Sequence, residues 1–322
     1  MKKLISVVTS AYNEEGNIRE FHARVTAVFG KFPDLDYEII AADNGSTDGT
    51  RDILREIAGR DPRFKCILNA RNFGAARSGY NAVLAARGDA VVVTVCDLQD
   101  PPEVIEEFIR QWRAGYMAVC AVKREYGESG LLRPIRRIYY WMLSGLSEVP
   151  LIRDFHGFGL YDRKIVDAMR KFREPVPYFR GLVGEVGFTR REIPYRQEKR
   201  KSGKSSYNFF SYYDYAMTGF VNHTRLPLRL AVFTGFFTAG LSFLASLGYL
   251  VRKLLDWDNF QLGLAPLIIG LFFLSAVQLI FIGVIGEYLG AMWIQVKDRP
   301  LVIEEERINF PAIDRQRDAT GN

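Results

Sequence analysis

A short acidic turn follows an apolar run in the first third of the chain. Residues 90–96 (AVVVTVC) have the composition of a buried strand and lead directly into residues 97–103 (DLQDPPE). Carboxylates at the carboxyl end of such a strand lie at the edge of an open α/β sheet, where these sheets bind ligands. Hard divalent cations prefer oxygen ligands of this kind. The turn therefore indicates a site for a metal ion and a nucleotide.

The same turn also has a purely structural interpretation. Asp97 and Asp100 are common turn formers, and the two prolines that follow suit the first positions of a helix. Two further segments favour the ligand site. Residues 4–10 (LISVVTS) and 37–42 (YEIIAA) are also strand-like, and they lead into the polar turns AYNEE and DNGSTDGT. Three strands are thus expected to deliver acidic side chains to one sheet edge.

The turns at residues 12–15 (YNEE), 43–50 (DNGSTDGT) and 97–103, in this order and spacing, resemble the nucleotide-sugar half of family 2 glycosyltransferases. The similarity is most specific to polyprenyl-phosphate glycosyltransferases, such as dolichyl-phosphate mannose synthase and bactoprenol glucosyl transferases, and it covers nearly the whole chain. It implies a GT-A-like fold. It also implies sugar transfer from a UDP- or GDP-linked nucleotide sugar to a polyprenyl phosphate.

The resemblance implies roles for individual residues on the donor side. In this family the first two turns hold the base and ribose, which assigns Tyr12, Glu14 and Asp43 to nucleotide-sugar binding. The acidic turn of the family surrounds a divalent metal, Mg²⁺ or Mn²⁺, on the diphosphate. This assigns Asp97 and Gln99 to the metal, and Asp97 also to donor binding and catalysis.

A glycine-containing loop adds a weaker donor-side candidate. Residues 69–79 (NARNFGAARSG) follow a predicted strand and open a helix, so their amides could face an anion. The segment lacks both a P-loop lysine and a GxGxxG pattern, and a plain strand-to-helix turn is an equal alternative. The family uses this loop to line the donor pocket, which makes Gly74 a candidate.

One position departs from the family pattern. The acidic turn of the family usually reads Asp-x-Asp-Leu-Gln, and its leading acid is Val95 here. A site with one carboxylate fewer should hold Mg²⁺ or Mn²⁺ less tightly, unless water, Asp100 or the diphosphate takes its place.

Basic residues mark the expected acceptor side. Seven lysines and arginines crowd into residues 190–204, and residues 200–207 (RKSGKSSY) resemble the family's Arg-x-x-Gly-x-Ser-x-Tyr segment, which meets the lipid phosphate. The resemblance assigns Arg200, Lys204 and Ser205 to the acceptor phosphate. The alternative is a solvated basic face that attracts anionic lipid headgroups.

The middle of the chain adds candidates beside the diphosphate and the sugar. Lys123 and Arg124 end a predicted strand at the same sheet edge, so Arg124 is a catalytic candidate that would neutralise the departing diphosphate. Arg133 follows in a Gly-containing loop and is a further candidate for the acceptor phosphate. His156 lies in residues 154–163, where the family carries a Gly-Phe segment beside the sugar, although a lone histidine is more often structural.

Two long apolar segments lie in the last third of the chain. Residues 230–251 and 262–286 contain no charged side chain, and each exceeds the roughly 20 residues that cross a ~30 Å hydrocarbon layer. Buried core helices are the alternative, but a domain of this size does not need uncharged helices of this length. Basic residues precede the first segment, whereas the hairpin at 252–261 is mixed in charge, which predicts a cytoplasmic soluble part.

Strand and helix patterns alternate from residue 2 to about residue 122, which is typical of an α/β fold with a mostly parallel, Rossmann-type sheet and helices on both faces. We expect this GT-A-like domain to be followed by a C-terminal two-helix transmembrane hairpin. The expected division is a cytosolic glycosyltransferase domain at 1–206, an interfacial aromatic segment at 207–229, two spans within 230–290, and a cytosolic tail at 291–322.

The composition fits an enzyme at the cytoplasmic face of a bacterial inner membrane. The chain has 322 residues, of which 48% are hydrophobic, and a net charge of +6. Its three cysteines and three histidines are dispersed, without the spacing of a disulfide framework or a zinc site. We expect no amino-terminal signal peptide, because the first apolar run is strand-length and then broken by polar residues. The expected partners are a nucleotide sugar, a polyprenyl phosphate and the membrane, with a homo-oligomeric state and no nucleic acid.

The combined interpretation is an inverting polyprenyl-phosphate glycosyltransferase, with undecaprenyl phosphate as the expected acceptor and cell-envelope glycan modification as its purpose. A lipid phosphate is already an anion, so its attack on the sugar needs little help from a general base. Two alternatives stay open at this point. One is a transferase of the same fold that acts on a hydroxyl acceptor, and the other is a catalytically weak membrane scaffold, suggested by Val95.

Overall fold

The computed structural model describes residues 2–123, 152, 154–172, 174–198, 226–255 and 264–311. Eight strands in this part of the chain form one mixed sheet: β1 Lys3–Ala11, β2 Leu35–Asp43, β3 Phe64–Asn69, β4 Ala90–Val93, β5 Ala118–Lys123, β6 Phe155–Asp162, β7 Arg190–Tyr195 and β8 Glu304–Ile308. The shorter helices are α1 Ile18–Gly30, α2 Thr50–Arg60, α3 Ala75–Ala85, α4 Ile105–Arg113, α5 Arg163–Met169 and α6 Phe179–Val186. Two longer helices, α7 Leu226–Leu255 and α8 Leu264–Val296, lie between β7 and β8 in the chain.

The strand order of the sheet is β7-β5-β6-β4-β1-β2-β3-β8. β1 pairs in parallel with β2 and β4, β2 with β3, and β5 with β7, whereas β6 and β8 run antiparallel to their neighbours. The carboxyl ends of the six parallel strands and the amino ends of β6 and β8 therefore meet at one edge, which we call the carboxyl rim. Open α/β sheets bind ligands at this edge.

Both faces of the sheet are buried. Alternate residues of β1 illustrate this, because Ile5 and Val7 pack with α1, α2 and α4, whereas Val8 packs on the opposite face with α3, α5 and α6. A parallel sheet that is covered on both faces requires nearly continuous apolar strands, which explains the runs in the sequence. The predicted α/β fold class, with a mostly parallel sheet and helices on both faces, is confirmed.

The positions of the first elements agree with the sequence patterns, with one difference. The sequence patterns predict helices from Ile18, Thr50, Gly74 and Glu103, and α1 to α4 begin at Ile18, Thr50, Ala75 and Ile105. The apolar run 90–96 was expected to be strand throughout, but β4 ends at Val93. Thr94 still donates its amide to the Val8 oxygen at 3.0 Å, and the chain then leaves the ladder to form the acidic turn.

The two longer helices have the properties of membrane spans. Their segments Leu228–Leu255 and Leu267–Val296 have mean hydropathies of 1.8 and 2.6, and none of either apolar window is buried inside the structure. Core helices of a soluble domain would be covered by protein, so this exposure argues against the core-helix alternative. Both helices are therefore long and apolar enough to cross a membrane. Residues 207–225 of the predicted interfacial segment, and the connection 256–263, lie outside the described residues.

The chain returns to the sheet after the second long helix. β8 lies within the predicted tail 291–322, and it pairs antiparallel with β3, with Asn69 opposite Glu304 and Cys66 opposite Ile308. This pairing covers what would otherwise be an open sheet edge, and Ile308 packs against the core. The structure thus adds Glu304–Ile308 to the sheet.

Candidate active site

The turns after β1, β2 and β3 are joined by asparagine side chains at the carboxyl rim. Asn13 Oδ1 accepts the amide of Thr47 at 2.9 Å, which joins the first two turns. Asn44 Nδ2 donates to Asn72 Oδ1 at 2.8 Å, and Asn44 Oδ1 accepts the amide of Phe73 at 2.9 Å, which joins the second turn to the third. The three turns therefore form one continuous surface.

Gly45 permits the close approach of the second and third turns. Its φ is +76°, and a Cβ at this position would lie 2.6 Å from the Arg71 carbonyl carbon and 2.7 Å from the Asn72 amide nitrogen. Both obstacles are main-chain atoms, which cannot rotate away. Only glycine fits this position, because it combines the left-handed conformation with the absence of a side chain.

Tyr12 and Glu14 follow β1 on this surface, as predicted. The Tyr12 side chain is open to solvent and available to a ligand, with 37% exposure. Glu14 is largely buried, and one of its carboxylate oxygens accepts Asn17 Nδ2 at 2.6 Å, while its amide donates to Thr50 Oγ1 at 2.8 Å. Glu14 is thus fixed between the starts of α1 and α2.

Asp43 ends β2 and is fully buried. Its carboxylate accepts the amides of Gly45 and Ser46 at 3.1 and 3.2 Å, and Arg51 Nε at 2.7 Å. Burial lowers the pKa of Arg51, but its hydrogen bonds to Asp43 and Glu305 outweigh that effect and raise it. Asp43 therefore fixes the conformation of the turn that follows it. The Gly45 and Ser46 amides that it holds belong to the surface expected to bind the donor.

Gly74 precedes the first residue of α3 with φ +89°. Its amide donates to Asn72 Oδ1 at 2.8 Å. Gly74 therefore lies at the carboxyl rim, between β3 and α3. Its main-chain amide is already hydrogen-bonded to Asn72 in the preceding loop.

The acidic turn after β4 alternates between open and buried side chains. Val95 is 37% exposed, Asp97 and Gln99 are half-buried, and Cys96, Leu98 and Asp100 are buried. Asp97 Oδ1 accepts the Gln99 amide at 3.1 Å. Leu98 has φ +60°, a conformation that is costly for a leucine and that proteins retain chiefly at functional sites. Val95, where the family carries an acid, is thus more exposed than the two predicted metal ligands, Asp97 and Gln99.

Asp100 is the buried centre of a hydrogen-bond network. It accepts His156 Nε2 from β6 at 2.7 Å and the Tyr195 hydroxyl from β7 at 2.6 Å. Burial alone would raise the pKa of Asp100, but the hydrogen bond from His156, the bond from Tyr195 and the nearby Lys123 together hold it below its ordinary value. Burial and the Asp100 carboxylate raise the pKa of Tyr195.

The tautomer of His156 follows from this network. An ionised carboxylate only accepts hydrogen bonds, so Nε2 of His156 carries the proton that it donates to Asp100. Nδ1 is buried and has no hydrogen-bond partner within the described part of the chain. His156 therefore stabilises the acidic turn through its hydrogen bond to Asp100.

The end of β7 lies directly against the acidic turn. The Glu198 amide donates to the Gln99 oxygen at 2.8 Å, close to where Tyr195 contacts Asp100. Lys199 and Arg200, which belong to the second half of the basic run 190–204, follow at once in the sequence. The predicted candidates Arg124, Arg133, Arg200, Lys204 and Ser205 lie outside the described residues.

Sequence reasoning missed the roles of Asp100 and Tyr195. The sequence offered Asp100 as a turn former or as a replacement for the missing metal ligand, whereas the structure buries its carboxylate against His156 and Tyr195. These partners lie 56 and 95 residues away along the chain, so no local pattern shows them. Tyr195 ends β7 within the basic run, and a single tyrosine there carries no signal of its own. Only the sheet order, which puts β6 and β7 near β4, brings these residues together.

The acidic turn suits a divalent cation in the nature of its ligands. Asp97 and Gln99 offer a carboxylate and an amide oxygen, which are ligands that Mg²⁺ and Mn²⁺ prefer. Among the described residues there is no group of three or more His, Cys, Asp or Glu side chains that could hold a metal ion. A cation here would complete its coordination with the oxygens of a bound diphosphate and water.

Comparison with known proteins agrees with this geometry. The sequence model of Glycosyl transferase family 2 matches residues 6–172. The chain is 36% identical to the uncharacterized glycosyltransferase YkcC of Bacillus subtilis, over 94% of this chain and 93% of that protein. It is 32% identical to the SfII prophage-derived bactoprenol glucosyl transferase of Shigella flexneri, over 93% and 96% of the two chains.

Among solved structures, a mannosyltransferase from Pyrobaculum calidifontis in complex with GDP-Man and Mn²⁺ aligns with a TM-score of 0.48 and 16% identity, over 92% of this chain and 87% of that chain. The family match spans more than half of the chain, and the relatives are similar over nearly their whole length. The chain therefore belongs to glycosyl transferase family 2, and it is a glycosyltransferase.

Proposed function

We propose that the protein transfers a sugar, with inversion, from a nucleotide sugar to a polyprenyl phosphate at the cytoplasmic face of a bacterial inner membrane. The observation that carries the proposal is the contact between Glu198 and Gln99 at 2.8 Å. It joins the segment that leads into the basic run to the acidic turn. A phosphate-binding segment and a diphosphate-binding turn are the two halves that such a transfer requires.

The donor half of the proposed site follows from the rim. Tyr12 offers an exposed ring beside the joined turns, and Asp43 shapes the amides of the second turn. Asp97 and Gln99 would hold a divalent cation, which when bound neutralises charge on the diphosphate leaving group. Asp97 is half-buried and follows the exposed Val95 closely in the turn, so it is still partly accessible, which supports this assignment.

The acceptor half of the proposed site needs charge and position rather than a base. A lipid phosphate is already ionised, so the protein has to align its oxygen with the anomeric carbon and stabilise the departing diphosphate. Arg200, Lys204 and Ser205 are proposed to hold the lipid phosphate, and Arg124 and Arg133 to act beside the two phosphate groups. Arginine suits this task because its planar fork matches phosphate oxygens.

The described histidine of the rim does not favour a hydroxyl acceptor. A sugar or protein hydroxyl needs a general base within reach of the substrate. His156 Nε2 donates to Asp100, and Nδ1 is buried, so neither nitrogen is open to a substrate. His156 is therefore not available as the general base that a hydroxyl acceptor would need.

The membrane helices and the relatives support a lipid acceptor. α7 and α8 have the length and composition of membrane spans, and a relative that matches over 93% of this chain is named a bactoprenol glucosyl transferase. A scaffold without activity would not require the joined rim turns or the strained Leu98.

A donor panel tests the proposal. The full chain in nanodiscs would be incubated with undecaprenyl phosphate, Mg²⁺ or Mn²⁺, and UDP- or GDP-linked hexoses and N-acetylhexosamines, and the lipids analysed by mass spectrometry. We expect one donor to yield an undecaprenyl-phosphate sugar of inverted anomeric configuration. Failure of every donor with folded, membrane-inserted protein would contradict the proposal.

A further inference from the structure

Arg51, in the first turn of α2, holds three acceptors at the carboxyl rim. Its Nε donates to Asp43 Oδ2 at 2.7 Å, and one terminal nitrogen donates to Glu305 Oε2 at 2.9 Å. The other terminal nitrogen donates to the main-chain oxygen of Asn69. These acceptors belong to the ends of β2 and β3 and to β8, so one planar guanidinium joins three strands.

The two carboxylates that share Arg51 differ in burial. The Asp43 side chain is 0% exposed, that of Arg51 is 22% exposed, and that of Glu305 is 55% exposed. A buried carboxylate depends on its hydrogen-bond donors, and Arg51 is the charged one among those of Asp43. Glu305 therefore acts from the solvent side, where it orients the guanidinium that Asp43 depends on.

Glu305 comes from a strand that is anchored independently of it. Asn81 Nδ2 donates to Glu304 Oε1 at 2.7 Å, and Asn309 Nδ2 donates to the oxygens of Ala58 and Phe64 at 2.7 and 2.8 Å. These side-chain bonds, with the β3–β8 ladder, hold the strand on both sides of position 305. A substitution of Glu305 should therefore leave β8 in place.

We propose that Arg51 and Glu305 are positioning residues for donor binding. Glu305, delivered by the strand that follows the second membrane helix, orients Arg51. Arg51 holds Asp43, and Asp43 fixes the Gly45 and Ser46 amides of the turn that faces the nucleotide. This inference rests on the proposed function, in which that turn contacts the donor. It makes the C-terminal strand part of the donor site.

Two conservative variants disrupt the arrangement. Glu305→Gln keeps the size of the side chain but loses its charge, and Arg51→Lys keeps the charge but loses the fork that reaches three acceptors. The affinity for UDP and GDP would be measured by calorimetry on the full chain in nanodiscs. Because Glu305 is exposed, we expect its substitution to raise the nucleotide Kd about two- to fivefold, and Arg51→Lys to raise it further.

A neighbouring ion pair provides a matched control, one helical turn from Arg51 and one strand residue from Glu305. Arg55 on α2 pairs with Glu306 on β8, also at 2.9 Å, and its other partner is Asp52 rather than Asp43. Arg55→Lys and Glu306→Gln change the same two elements in the same way. We expect them to leave the nucleotide Kd unchanged, and the double variant of Arg51 and Glu305 to show less than the sum of the two single effects.

The outcomes separate this inference from the proposed function. A Kd increase in the Arg51 and Glu305 variants, absent from the Arg55 and Glu306 variants, supports the positioning role. Equal affinities in all four variants, with sugar transfer by the wild type intact, overturn the inference and leave the function standing. Equal losses in all four variants also overturn it, because they indicate a general effect of β8 on the fold. A wild type that binds neither nucleotide and transfers no sugar contradicts both.

Discussion

At the scale of single residues, the acidic turn has one carboxylate fewer than the family pattern. Val95 occupies the position of the leading acid and is as exposed as Tyr12. The missing acid is therefore replaced by a side chain that faces open space. A carboxylate introduced there would not be buried, which makes the position suitable for a direct test.

We expect Asp97→Asn to lower turnover by about 10²-fold or more, because a charge at the diphosphate is lost while volume is kept. Sugar transfer and the yield of membrane-inserted protein would both be measured. Asp52→Asn, an exposed acid on α2, is the control and should retain full activity. Near-normal transfer by Asp97→Asn would remove Asp97 from the mechanism.

We expect Val95→Asp to lower the concentration of Mg²⁺ or Mn²⁺ needed for half-maximal transfer, because it adds an oxygen ligand at an open position. A metal titration of the transfer rate measures this. The same metal requirement in the variant and the wild type would indicate that position 95 does not face the cation.

We expect Tyr195→Phe to lower the free energy of unfolding by about 1–3 kcal/mol, because buried Asp100 loses a hydrogen-bond donor. Tyr37→Phe is the matched control, since the Tyr37 hydroxyl is buried without a hydrogen-bond partner in the described part of the chain. Its removal should be neutral or stabilising. Denaturant unfolding measures the free energy of unfolding of both variants. Equal changes in the two would mean that the hydrogen bond from Tyr195 to Asp100 adds nothing to stability.

At the scale of elements, the sequence predicted what depends on local pattern and missed what depends on distant pairing. The apolar runs marked β1 and β2, and the starts of α1 and α2 followed from turn residues. β8 could not be found in this way. Four of the five residues in Glu304–Ile308 are charged, and the partner strand β3 lies more than 200 residues earlier in the chain.

The joined turns of the rim give a prediction about Gly45. Gly45→Ala should destabilise the protein and weaken nucleotide binding, because its Cβ would press on the main chain of Arg71 and Asn72. Gly59→Ala is the control, since nothing lies within 4 Å of its added Cβ on α2. That change should stabilise by roughly 0.5–1 kcal/mol. A neutral Gly45→Ala variant would show that the two turns can separate freely.

The connection between α5 and α6 gives a prediction about pH. Burial and the charge of Glu185 raise the pKa of Glu174 to about 7 in the folded chain, above its ordinary value of 4.5. The folded state thus holds this proton more tightly, so the contribution to stability is complete below pH 4.5 and is lost as the pH rises toward 7. We expect Glu174→Gln to remove this decline and to stabilise the protein at pH 8.

Thermal unfolding between pH 5 and 8 measures the effect of Glu174. Glu192→Gln, at an exposed position on β7, serves as the control and should leave the pH dependence of the wild type in place. An unchanged pH dependence in Glu174→Gln would assign the decline to other groups.

At the scale of the whole molecule, the two apolar helices are inserted in the chain between two strands of the same sheet. β7 precedes α7, and β8 follows α8 and rejoins the same sheet. Two membrane crossings with both flanks tied to one body would leave the catalytic sheet on a single side. The connection from Val296 to Glu304 is short, and β8 begins at the carboxyl rim. The rim therefore lies near the end of the second long helix. This arrangement supports an acceptor that stays in the membrane.

The central claim is that the acceptor is a lipid phosphate, and one comparison tests it most directly. The full chain in nanodiscs would receive the active radiolabelled donor with either undecaprenyl phosphate or undecaprenol, and lipid-linked label would be counted. We predict labelled product with the phosphate, none with the alcohol, and loss of the product in Asp97→Asn. Label on undecaprenol, or equal donor consumption with and without the lipid phosphate, would contradict the account.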